Sequence, residues 1–440
     1  MKHKPSIKKV AVIGSGIMGS RIACHMANIG LEVLLLDIAP FSLNEAEEKT
    51  GLSLEHPNVK NRIVKDALKA TLKSKPASLY KKEFINRITT GNLTDDFEKI
   101  NDADWIIEVV VERLDIKKQV FEKVEQFRKP ESIISSNTSG IPIHMMLQDR
   151  SENFKTNFLG THFFNPPRYL ELLEIIPTPH TDPSLVDFLM GFGDRHLGKT
   201  TVLCKDTPAF IANRVGVGGI LSLFHLIEKR DLSVEAVDKL TGPMIGRPKS
   251  ATFRTCDVVG LDTLVHVANG LYENCKEDEA RDSFKLPNYV QKLFDNKWLG
   301  DKTKQGFYKK TKDETGKKVI LSLDLNTFEY KTQERVKYTS LAQAKEIDDL
   351  RKRIKFLYNS KDEAGDFYKE MFSEMFSYVS HRIPEISDET YQIDLAMKAG
   401  FGWELGPFEI WDAIGVQAGF EKATELGIKI APWVKQMLDQ

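Results

Sequence analysis

Val10-Ala-Val-Ile-Gly14-Ser-Gly16-Ile-Met-Gly19 is the stretch of sequence that indicates the fold of the N-terminal part of this chain. Its first four residues are apolar and mostly β-branched, which predicts a strand that is buried on both faces. Three glycines with the spacing G-x-G-x-x-G follow, and helical periodicity continues over residues 18–29. A second apolar run at 33–36 ends at Asp37. Strand, glycine turn, helix and strand in this order predict a dinucleotide-binding βαβ unit.

Each glycine of this motif has its own physical role. Gly14 permits the tight turn, Gly16 lets the backbone approach a pyrophosphate, and Gly19 allows the helix to pack closely on the strand. The first N–H groups of a helix have no intrahelical acceptor, so Ile17 and Met18 are expected to bind the phosphates through their backbone.

The residue that ends the second strand predicts which dinucleotide binds. Asp37 can accept hydrogen bonds from both ribose hydroxyls, and its charge repels a 2′-phosphate. Ile38 follows it, so the sequence has no arginine at that position to receive such a phosphate. We therefore expect NAD rather than NADP.

Composition excludes several classes of function. The chain has 62 Lys and Arg against 63 Asp and Glu, which gives no case for binding nucleic acid or a membrane surface. The sequence contains no apolar run of about 18 residues and no apolar segment that fits a signal peptide. The four cysteines form no C-x-x-C pair, so neither zinc nor a redox dithiol is expected. A cytoplasmic protein with reduced thiols is the expectation.

Strand patterns continue to about residue 203, with helical stretches between several of them. They predict an α/β fold, a doubly wound sheet of the Rossmann type. Residues 42–86 differ because they are helical and lysine-rich, and we expect them to form an arm that projects from the sheet. The strands are expected at 10–13, 33–36, 87–90, 105–111, 133–136, 158–164, 172–176 and 201–203.

The C-terminal part of the chain is mostly helical in pattern, from residue 209 to about 298 and again from 340 to 440. Strand-like runs and a turn at 302–330 predict a small β cap between these regions. The expected domains are a nucleotide-binding domain at 1–206 with its arm at 42–86, a first helical domain at 207–310, a β linker at 311–339 and a second helical domain at 340–440.

An internal repeat links the two helical regions. Phe253-Arg-Thr-Cys-Asp257-Val-Val-Gly260 and Phe408-Glu-Ile-Trp-Asp412-Ala-Ile-Gly415 share the pattern F-x-x-x-D-x-x-G, and an apolar residue follows each of them. Both segments also lie in helical surroundings. We therefore expect a duplicated helical domain rather than a chance similarity.

A candidate acid–base pair lies on the sixth and seventh predicted strands. His162 lies near the end of an apolar strand, with Asn165 close behind it, and Glu174 stands alone within the next apolar strand. A carboxylate in an apolar strand is unfavourable unless it is paired. Neighbouring strands could place it beside His162, where it would stabilise the imidazolium form. Alcohol oxidation by hydride transfer needs such a base. His25, His144, His180, His225 and His266 lack comparable neighbours and are expected to be structural or surface residues.

Several segments in the same order resemble the L-3-hydroxyacyl-CoA dehydrogenase family. They are Val12-Ile-Gly-Ser-Gly-Ile-Met-Gly19, Ser135-Ser-Asn-Thr-Ser139, His162-Phe-Phe-Asn-Pro166, Lys205-Asp-Thr-Pro-Ala-Phe-Ile-Ala-Asn-Arg214 and Gly260-Leu-Asp262. The resemblance implies a Rossmann-type domain followed by helical domains of the kind found at the C-terminus of 6-phosphogluconate dehydrogenase. The helical region at 340–440 resembles the second such domain of multifunctional β-oxidation proteins.

The resemblance also implies roles for individual residues. His162 would be the catalytic base and Glu174 its partner. Ser139 would bind the 3-oxygen of the substrate near the nicotinamide, and Asn165 would help to place both groups. The other implied positions are Glu112 and Lys117, which would contact the cofactor, and Asn213, which would contact the substrate.

Two segments depart from the family pattern. Gly140 stands where a serine usually follows the S-N-T-S turn, and residues 246–253 replace a commoner G-x-P-M-G-P-F type. Neither change affects the His162–Glu174 pair, but both could alter the preference for acyl chain length, which stays open.

The implied reaction is the oxidation of (S)-3-hydroxyacyl-CoA by NAD in fatty-acid β-oxidation. The alternatives are a dehydrogenase of a free hydroxy acid such as a sugar acid, and a non-catalytic NADH-binding protein. The expected partner is the acyl-CoA, whose CoA phosphates would suit the lysines of the arm. The resemblance also suggests association with, or fusion to, an enoyl-CoA hydratase. Monomer and homodimer both stay open, because the second helical domain could take the place of a partner subunit.

Overall fold

In the computed structural model, which describes residues 6–440, the chain divides into two units, Met1–Phe210 and Ile211–Gln440. The first unit contains an eight-stranded sheet with the order β3-β2-β1-β4-β5-β6-β7-β8. Its strands are β1 (Lys9–Ile13), β2 (Glu32–Asp37), β3 (Ile88–Asn92), β4 (Trp105–Glu108), β5 (Ile133–Ser136), β6 (Phe158–Phe163), β7 (Leu172–Pro177) and β8 (Thr200–Leu203).

The strand directions in this sheet confirm the prediction of a Rossmann-type fold, and they show one antiparallel pair that was not predicted. Neighbouring strands from β3 to β6 are parallel, while β6 and β7 are antiparallel and β7 and β8 are parallel. The order changes direction between β1 and β4, which is the switch point where such sheets bind ligands. The glycine motif follows β1 and therefore lies at this point.

Helices connect most of these strands. They are α1 (Ile17–Asn28), α2 (Glu45–Lys49), α3 (Pro57–Lys60), α4 (Arg62–Lys73), α5 (Leu114–Phe127), α6 (Glu152–Thr156) and α7 (Pro183–Arg195), with 3₁₀ helices at Lys82–Arg87, Phe97–Asp102 and Ile143–Leu147. The helix α1 ends before Gly30, whose φ of 98° lies in the region that glycine tolerates.

The arm at 42–86 projects less than the sequence predicted. Its longest helix, α4, packs against α1, β2 and β3, and Val64 and Leu68 belong to the core of the unit. The prediction was wrong for α4 because these apolar side chains recur on one face of an otherwise charged helix, and that face is buried.

The strand β4 is shorter than the predicted 105–111. Val109 N still donates to Ile13 O in the ladder with β1, and the strand ends where Val110 N donates to the Glu108 side chain at 2.7 Å. The Glu108 side chain is fully buried at this point.

The second unit is helical with one small sheet. Its helices are α8 (Ala212–Arg230), α9 (Val234–Leu240), α10 (Phe253–Val259), α11 (Leu261–Asn274), α12 (Asn288–Asp295), α13 (Thr339–Ala344), α14 (Leu350–Asn359), α15 (Glu363–His381), α16 (Thr390–Phe401), α17 (Pro407–Ile414), α18 (Val416–Glu425) and α19 (Pro432–Leu438). Short 3₁₀ helices lie at Pro243–Ile245, Arg281–Phe284 and Asp301–Thr303.

The β cap is a three-stranded antiparallel sheet of β9 (Tyr308–Lys312), β10 (Lys318–Leu323) and β11 (Tyr330–Thr332). It begins later than the predicted residue 302. Residues Asp301–Thr303 form a 3₁₀ helix instead of a strand, and the Asp257 carboxylate accepts hydrogen bonds from Phe307 N and Tyr308 N, at 2.9 and 2.8 Å, where β9 begins.

The repeated sequence pattern lies on matching elements. Both α8 and α15 have 19 residues, and each is followed by a helix, a glycine-ended turn and a short helix that begins at or beside the motif phenylalanine. The glycines have similar positive φ angles: 71° and 67° at Gly246 and Gly402, and 104° and 109° at Gly260 and Gly415. These similarities support a duplicated helical module.

Two remaining expectations concern cysteines and membranes. All four cysteines are buried and free, and burial raises the pKa of the Cys24 thiol to about 12. Among the described residues, none of the helices combines the length and the apolar character needed to cross a membrane.

Candidate active site

The glycine motif forms a cradle of bare backbone after β1. Gly14 has a φ of 104°, and a Cβ on it would lie 2.5 Å from Val109 O. A Cβ on Gly19 would lie 1.8 Å from Gly14 O, so both positions exclude a side chain. A Cβ on Gly16 would meet no heavy atom within 4 Å, and Gly16 caps α1 without a side-chain hydrogen bond. Open space thus faces the first N–H groups of α1, including those of Ile17 and Met18, as phosphate binding requires.

Asp37 lies at the end of β2 and bonds to the same loop. Its Oδ2 accepts hydrogen bonds from Ser15 N at 2.6 Å and from Ser15 Oγ at 2.5 Å, and its Oδ1 accepts one from Ile38 N at 2.7 Å. An ionised carboxylate has about four acceptor positions, so Asp37 keeps about one of them for a ribose hydroxyl. The residues present therefore fit an NAD molecule.

The antiparallel pair β6 and β7 brings His162 and Glu174 directly opposite each other. The distance between His162 Nδ1 and Glu174 Oε2 is 2.7 Å. Glu174 is 0 % exposed and His162 is 5 % exposed. The rings of Phe164 and Phe210 lie 4.5 and 5.8 Å from the imidazole and complete an apolar surround. Because Nδ1 is engaged by the carboxylate, Nε2 is the nitrogen that can exchange a proton with a substrate.

The turn that carries Ser139 is held by one carboxylate. Glu112 Oε1 accepts hydrogen bonds from Thr138 Oγ1 at 2.5 Å, Ser139 N at 2.9 Å and Gly140 N at 3.2 Å. Asn137 Oδ1 in turn accepts a hydrogen bond from Phe163 N at 2.9 Å, which ties the turn to the end of β6. The Ser139 side chain is exposed on this fixed turn.

Behind Glu112 lies a buried ionic cluster. Lys117 Nζ lies 2.9 Å from Glu108 Oε1 and 3.2 Å from Glu112 Oε2, and Glu108 also accepts a hydrogen bond from Ser136 Oγ at 2.6 Å. Lys117 is 1 % exposed and Glu108 is 0 % exposed. Burial opposes the ionised form of Glu112, but the Lys117 charge and the bonds from Thr138 and Ser139 outweigh it, so the pKa of Glu112 lies below its ordinary value. Contact of Glu112 and Lys117 with the cofactor stays a prediction.

Asn165 begins a loop after β6 that two basic residues hold. Arg21 Nη1 donates to Asn165 Oδ1 at 2.5 Å, and Asn165 itself is exposed. Lys199 Nζ donates to Leu170 O at 2.6 Å and also to Pro167 O. Burial lowers the pKa of Lys199 to about 8. Arg21 and Lys199 thereby fix the two ends of the loop.

Asn213 belongs to the second unit, in the first turn of α8, and is half-buried. The neighbouring Arg214 anchors this turn, because its Nη2 bonds to Asp278 Oδ2 at 2.5 Å and Glu385 Oε1 at 2.8 Å, and its Nε donates to Tyr378 Oη at 2.9 Å. The start of α8 is therefore fixed by a buried charge network.

Sequence reasoning missed several of these residues. Glu108 gave the same signal as Glu174, a lone acidic residue in an apolar strand, and could have been found. Arg21 and Lys199 gave none, because their partners lie 144 and about 30 residues away. His144 was expected to be a structural or surface residue without neighbours comparable to those of His162. Its side chain is 59 % exposed, as a surface residue is, but its Nδ1 lies 2.6 Å from Asp206 Oδ2, a contact that was not foreseen.

Comparison with known families identifies two segments of the chain, which together span most of residues 9–310. Residues 9–207 match the NAD-binding domain of 3-hydroxyacyl-CoA dehydrogenase, and residues 210–310 match the C-terminal domain of the same enzyme. NAD is accordingly the cofactor of the first domain.

Relatives agree with this match. The chain is 49 % identical over its full length to a probable 3-hydroxyacyl-CoA dehydrogenase of Bacillus subtilis, of which it covers 55 %. It is 45 % identical to one of Deinococcus radiodurans over 70 % of its own length and 84 % of the relative. A putative fatty acid oxidation complex trifunctional enzyme of Rickettsia felis is 35 % identical over 92 % of this chain, which spans 53 % of that protein. The chain thus spans about half the length of two of these relatives.

The crystal structure of 3-hydroxybutyryl-CoA dehydrogenase from Escherichia coli K12 has the same fold. It matches with a TM-score of 0.68 over 98 % of both chains, at 20 % sequence identity. With the family matches and the Deinococcus relative, this agreement leads to one conclusion: the chain belongs to the 3-hydroxyacyl-CoA dehydrogenase family.

Proposed function

We propose that this chain oxidises (S)-3-hydroxyacyl-CoA to 3-oxoacyl-CoA with NAD, as a step of fatty-acid β-oxidation. The observation that carries the proposal is the buried His162–Glu174 pair, with 2.7 Å between Nδ1 and Oε2, on the same sheet as the NAD-binding motif. The names of the relatives support the substrate class.

In this reaction the substrate loses a proton from its 3-hydroxyl and a hydride from C3. Bound NAD supplies the hydride acceptor. His162 takes the hydroxyl proton on Nε2, and Glu174 stabilises the imidazolium that results, because a buried carboxylate favours a neighbouring positive charge. The apolar rings around the pair exclude water and strengthen that interaction.

The remaining site residues act by positioning. We propose that Ser139 donates a hydrogen bond to the 3-oxygen and that Asn165 orients the reacting groups. Glu112 and the Lys117 cluster keep the Ser139 turn rigid, and a preorganised donor lowers the energy of the transition state without reorganisation. We also propose that Asn213 contacts the acyl-CoA.

The variant His162→Gln tests the function. We expect kcat for acetoacetyl-CoA reduction by NADH to fall about 10²- to 10⁴-fold, because the proton donor and acceptor is lost. NADH binding, followed by fluorescence titration, is expected to persist because the glycine motif and Asp37 are intact. Near-normal turnover in this variant would contradict the assignment.

Substrate comparison tests the class of thioester. The wild-type protein is expected to oxidise NADH with acetoacetyl-CoA but not with free acetoacetate or 3-dehydrogulonate. Turnover of a free acid would favour a hydroxy-acid dehydrogenase, and NADH binding without turnover of any of them would favour a non-catalytic role.

We also propose that the chain works with an enoyl-CoA hydratase, because hydration of an enoyl-CoA produces the 3-hydroxyl that this site would oxidise. One of the relatives named above is a putative trifunctional fatty acid oxidation enzyme, which supports such an association. A cytoplasmic location is part of the proposal and agrees with four free thiols.

A further inference from the structure

The helical unit holds a cavity of about 590 Å³ whose lining residues all belong to Ile211–Gln440. This volume lies within the range of about 300–1,000 Å³ that small-molecule sites usually have. Apolar side chains form much of the wall, among them Leu223 of α8 and Met371 and Met375 of α15. The wall also contains Arg247, which lies between α9 and α10.

The guanidinium of Arg247 has no acceptor in the protein. Its Nε is buried without a hydrogen-bond partner, and within residues 6–440 none of the carboxylates forms an ion pair with it. Burial lowers the pKa of Arg247 to about 10, so the group is still charged at neutral pH. A guanidinium has five N–H donors, and burying it without an acceptor is unfavourable. An anion in the cavity would offset this cost.

The duplicated module explains where Arg247 lies. Arg247 and Trp403 each follow a glycine of positive φ, Gly246 and Gly402, and Glu404 N donates a hydrogen bond of 2.8 Å to Gly246 O between the two turns. The guanidinium lies 4.0 Å from the centre of the Trp403 ring. A ring face attracts a cation, but it does not replace the planar acceptor that a guanidinium binds best.

The acidic side chains of the wall are not bonded to Arg247. Glu279 pairs with Arg382, and Asp282 Oδ1 lies 2.7 Å from the ammonium of a nearby lysine. Burial and a neighbouring acidic charge raise the pKa of Glu374 above its ordinary value. These carboxylates repel a ligand with two negative charges more strongly than a ligand with one. The wall therefore favours a singly charged anion.

We propose that this cavity binds a small molecule with one carboxylate and an apolar body. The carboxylate accepts two parallel hydrogen bonds from Arg247, the geometry that a planar guanidinium favours. The apolar body packs against side chains such as Leu223, Met371 and Met375. The inference uses none of the proposed catalytic residues and does not depend on the dehydrogenase function.

Calorimetric titration of the full-length chain with benzoate, 4-phenylbutyrate and naphthalene-2-acetate tests the proposal. At least one of them is expected to bind with a Kd below about 1 mM, which is reasonable for ligands of about 9 to 14 non-hydrogen atoms. The neutral amide of that compound should bind at least about tenfold more weakly, because a hydrogen-bonded charge is worth a factor of about 10 to 150. Phenyl phosphate, which carries more than one charge, should also bind more weakly.

Two variants change the cavity. Arg247→Met removes the charge and should weaken binding of the carboxylate at least about tenfold. Without ligand, its Tm should equal or exceed that of the wild type, because an unpaired buried charge is unfavourable. Gly219→Met should weaken binding as well, since Gly219 lines the cavity and a Cβ there meets no heavy atom within 4 Å, which leaves room for the longer side chain.

Arg254→Met and Gly270→Met are the matched controls. Arg254 pairs with Asp301 at 2.5 Å, and Gly270 lies inside α11, where a Cβ meets no heavy atom within 4 Å. Neither of the two residues lines the cavity, so both variants should bind the carboxylate as the wild type does. Circular dichroism shows whether each variant is folded.

The proposal is overturned if none of the three carboxylates gives saturable binding up to about 10 mM. Equal affinity for the acid and its amide, or unchanged affinity in Arg247→Met, overturns it because the arginine then takes no part. An Arg247→Met variant that unfolds well below the wild-type temperature identifies Arg247 as a structural residue, with the same consequence. Loss of binding in the controls as large as in Arg247→Met places the probe outside this cavity and also overturns the proposal.

Discussion

Glu174 and Glu108 occupy similar positions in one sheet but have different partners. Each is the acidic residue of an otherwise apolar strand, and each is 0 % exposed. Glu174 faces His162 across an antiparallel ladder, whereas Glu108 faces Lys117, nine residues further along the chain. Histidine can change its charge near neutral pH, while a lysine paired with carboxylates keeps its charge.

The comparison indicates that the role of each buried glutamate depends on the residue with which it pairs. Glu108, Lys117 and Glu112 form a permanent ionic cluster that fixes the Ser139 turn. Glu174 stabilises a charge that exists only while His162 holds the proton. We therefore expect the first cluster to act mainly on stability and the second pair mainly on kcat.

The largest expected effect is on the permanent cluster. Lys117→Met should lower the free energy of unfolding by about 3–5 kcal/mol, because it leaves buried carboxylates without their cation. Chemical denaturation measures this change. Lys123→Met, at an exposed position of the same helix α5, is the control and should change it by about 0.5 kcal/mol or less.

The double variant Glu108→Gln with Lys117→Met tests whether the loss of stability comes from an unpaired buried charge. Removing both charges of a buried pair is less unfavourable than removing one. The double variant should therefore be more stable than Lys117→Met alone. Equal or greater destabilisation would show that the cluster does not act as an ion pair.

The next effect concerns the titratable pair. Glu174→Gln should lower kcat about 10- to 150-fold, since a hydrogen bond to a charged group contributes about 1.5–3 kcal/mol and 1.36 kcal/mol corresponds to a factor of ten. The KM for NADH should change little. Steady-state kinetics with acetoacetyl-CoA measures both, and a loss confined to KM would contradict a role in stabilising the imidazolium.

A smaller effect is expected in acid. The pKa of Glu112 is lower in the folded chain than its ordinary value of 4.5. Its contribution to stability is therefore complete above that value and is lost as the pH falls through the folded pKa. The free energy of unfolding, measured from pH 7 to pH 3, should decline less steeply in Glu112→Gln than in the wild type. Parallel curves would rule this contribution out.

The smallest effect is expected at an exposed histidine–carboxylate contact. His144 pairs with Asp206 at 2.6 Å, but its side chain is 59 % exposed. Water screens such a pair, and His144→Gln should change kcat less than about twofold. A loss as large as that of His162→Gln would show that burial does not distinguish the two histidines.

Local sequence patterns predicted the βαβ unit and the adjacency of His162 and Glu174. Both depend on short-range periodicity, since these two residues are only 12 apart and lie on consecutive strands. The same reasoning missed Glu108, although it stood alone in the predicted strand 105–111 just as Glu174 did in its own strand, because no histidine or other ionisable residue marked a partner for it. The strand ends where Val110 N donates to the Glu108 side chain, and periodicity does not reveal such a bond.

Long-range contacts were beyond sequence reasoning. His144 and Asp206 are 62 residues apart, and Arg21 and Asn165 are 144 apart. No spacing rule connects such residues, because their meeting depends on how the whole sheet is assembled. The burial of one face of α4 was likewise not predicted, since its charged residues dominate the composition of the arm.

The antiparallel ladder of β6 and β7 affects which parts of the sequence can change without separating His162 from Glu174. Backbone register alone sets His162 opposite Glu174, and the segment 164–171 between the strands takes no part in that register. A one-residue slip within a strand would turn Glu174 to the other face. Insertions in the segment leave the ladder intact. Changes in the length of this segment therefore leave His162 and Glu174 aligned, while the bonds from Arg21 and Lys199 limit how far its conformation can change.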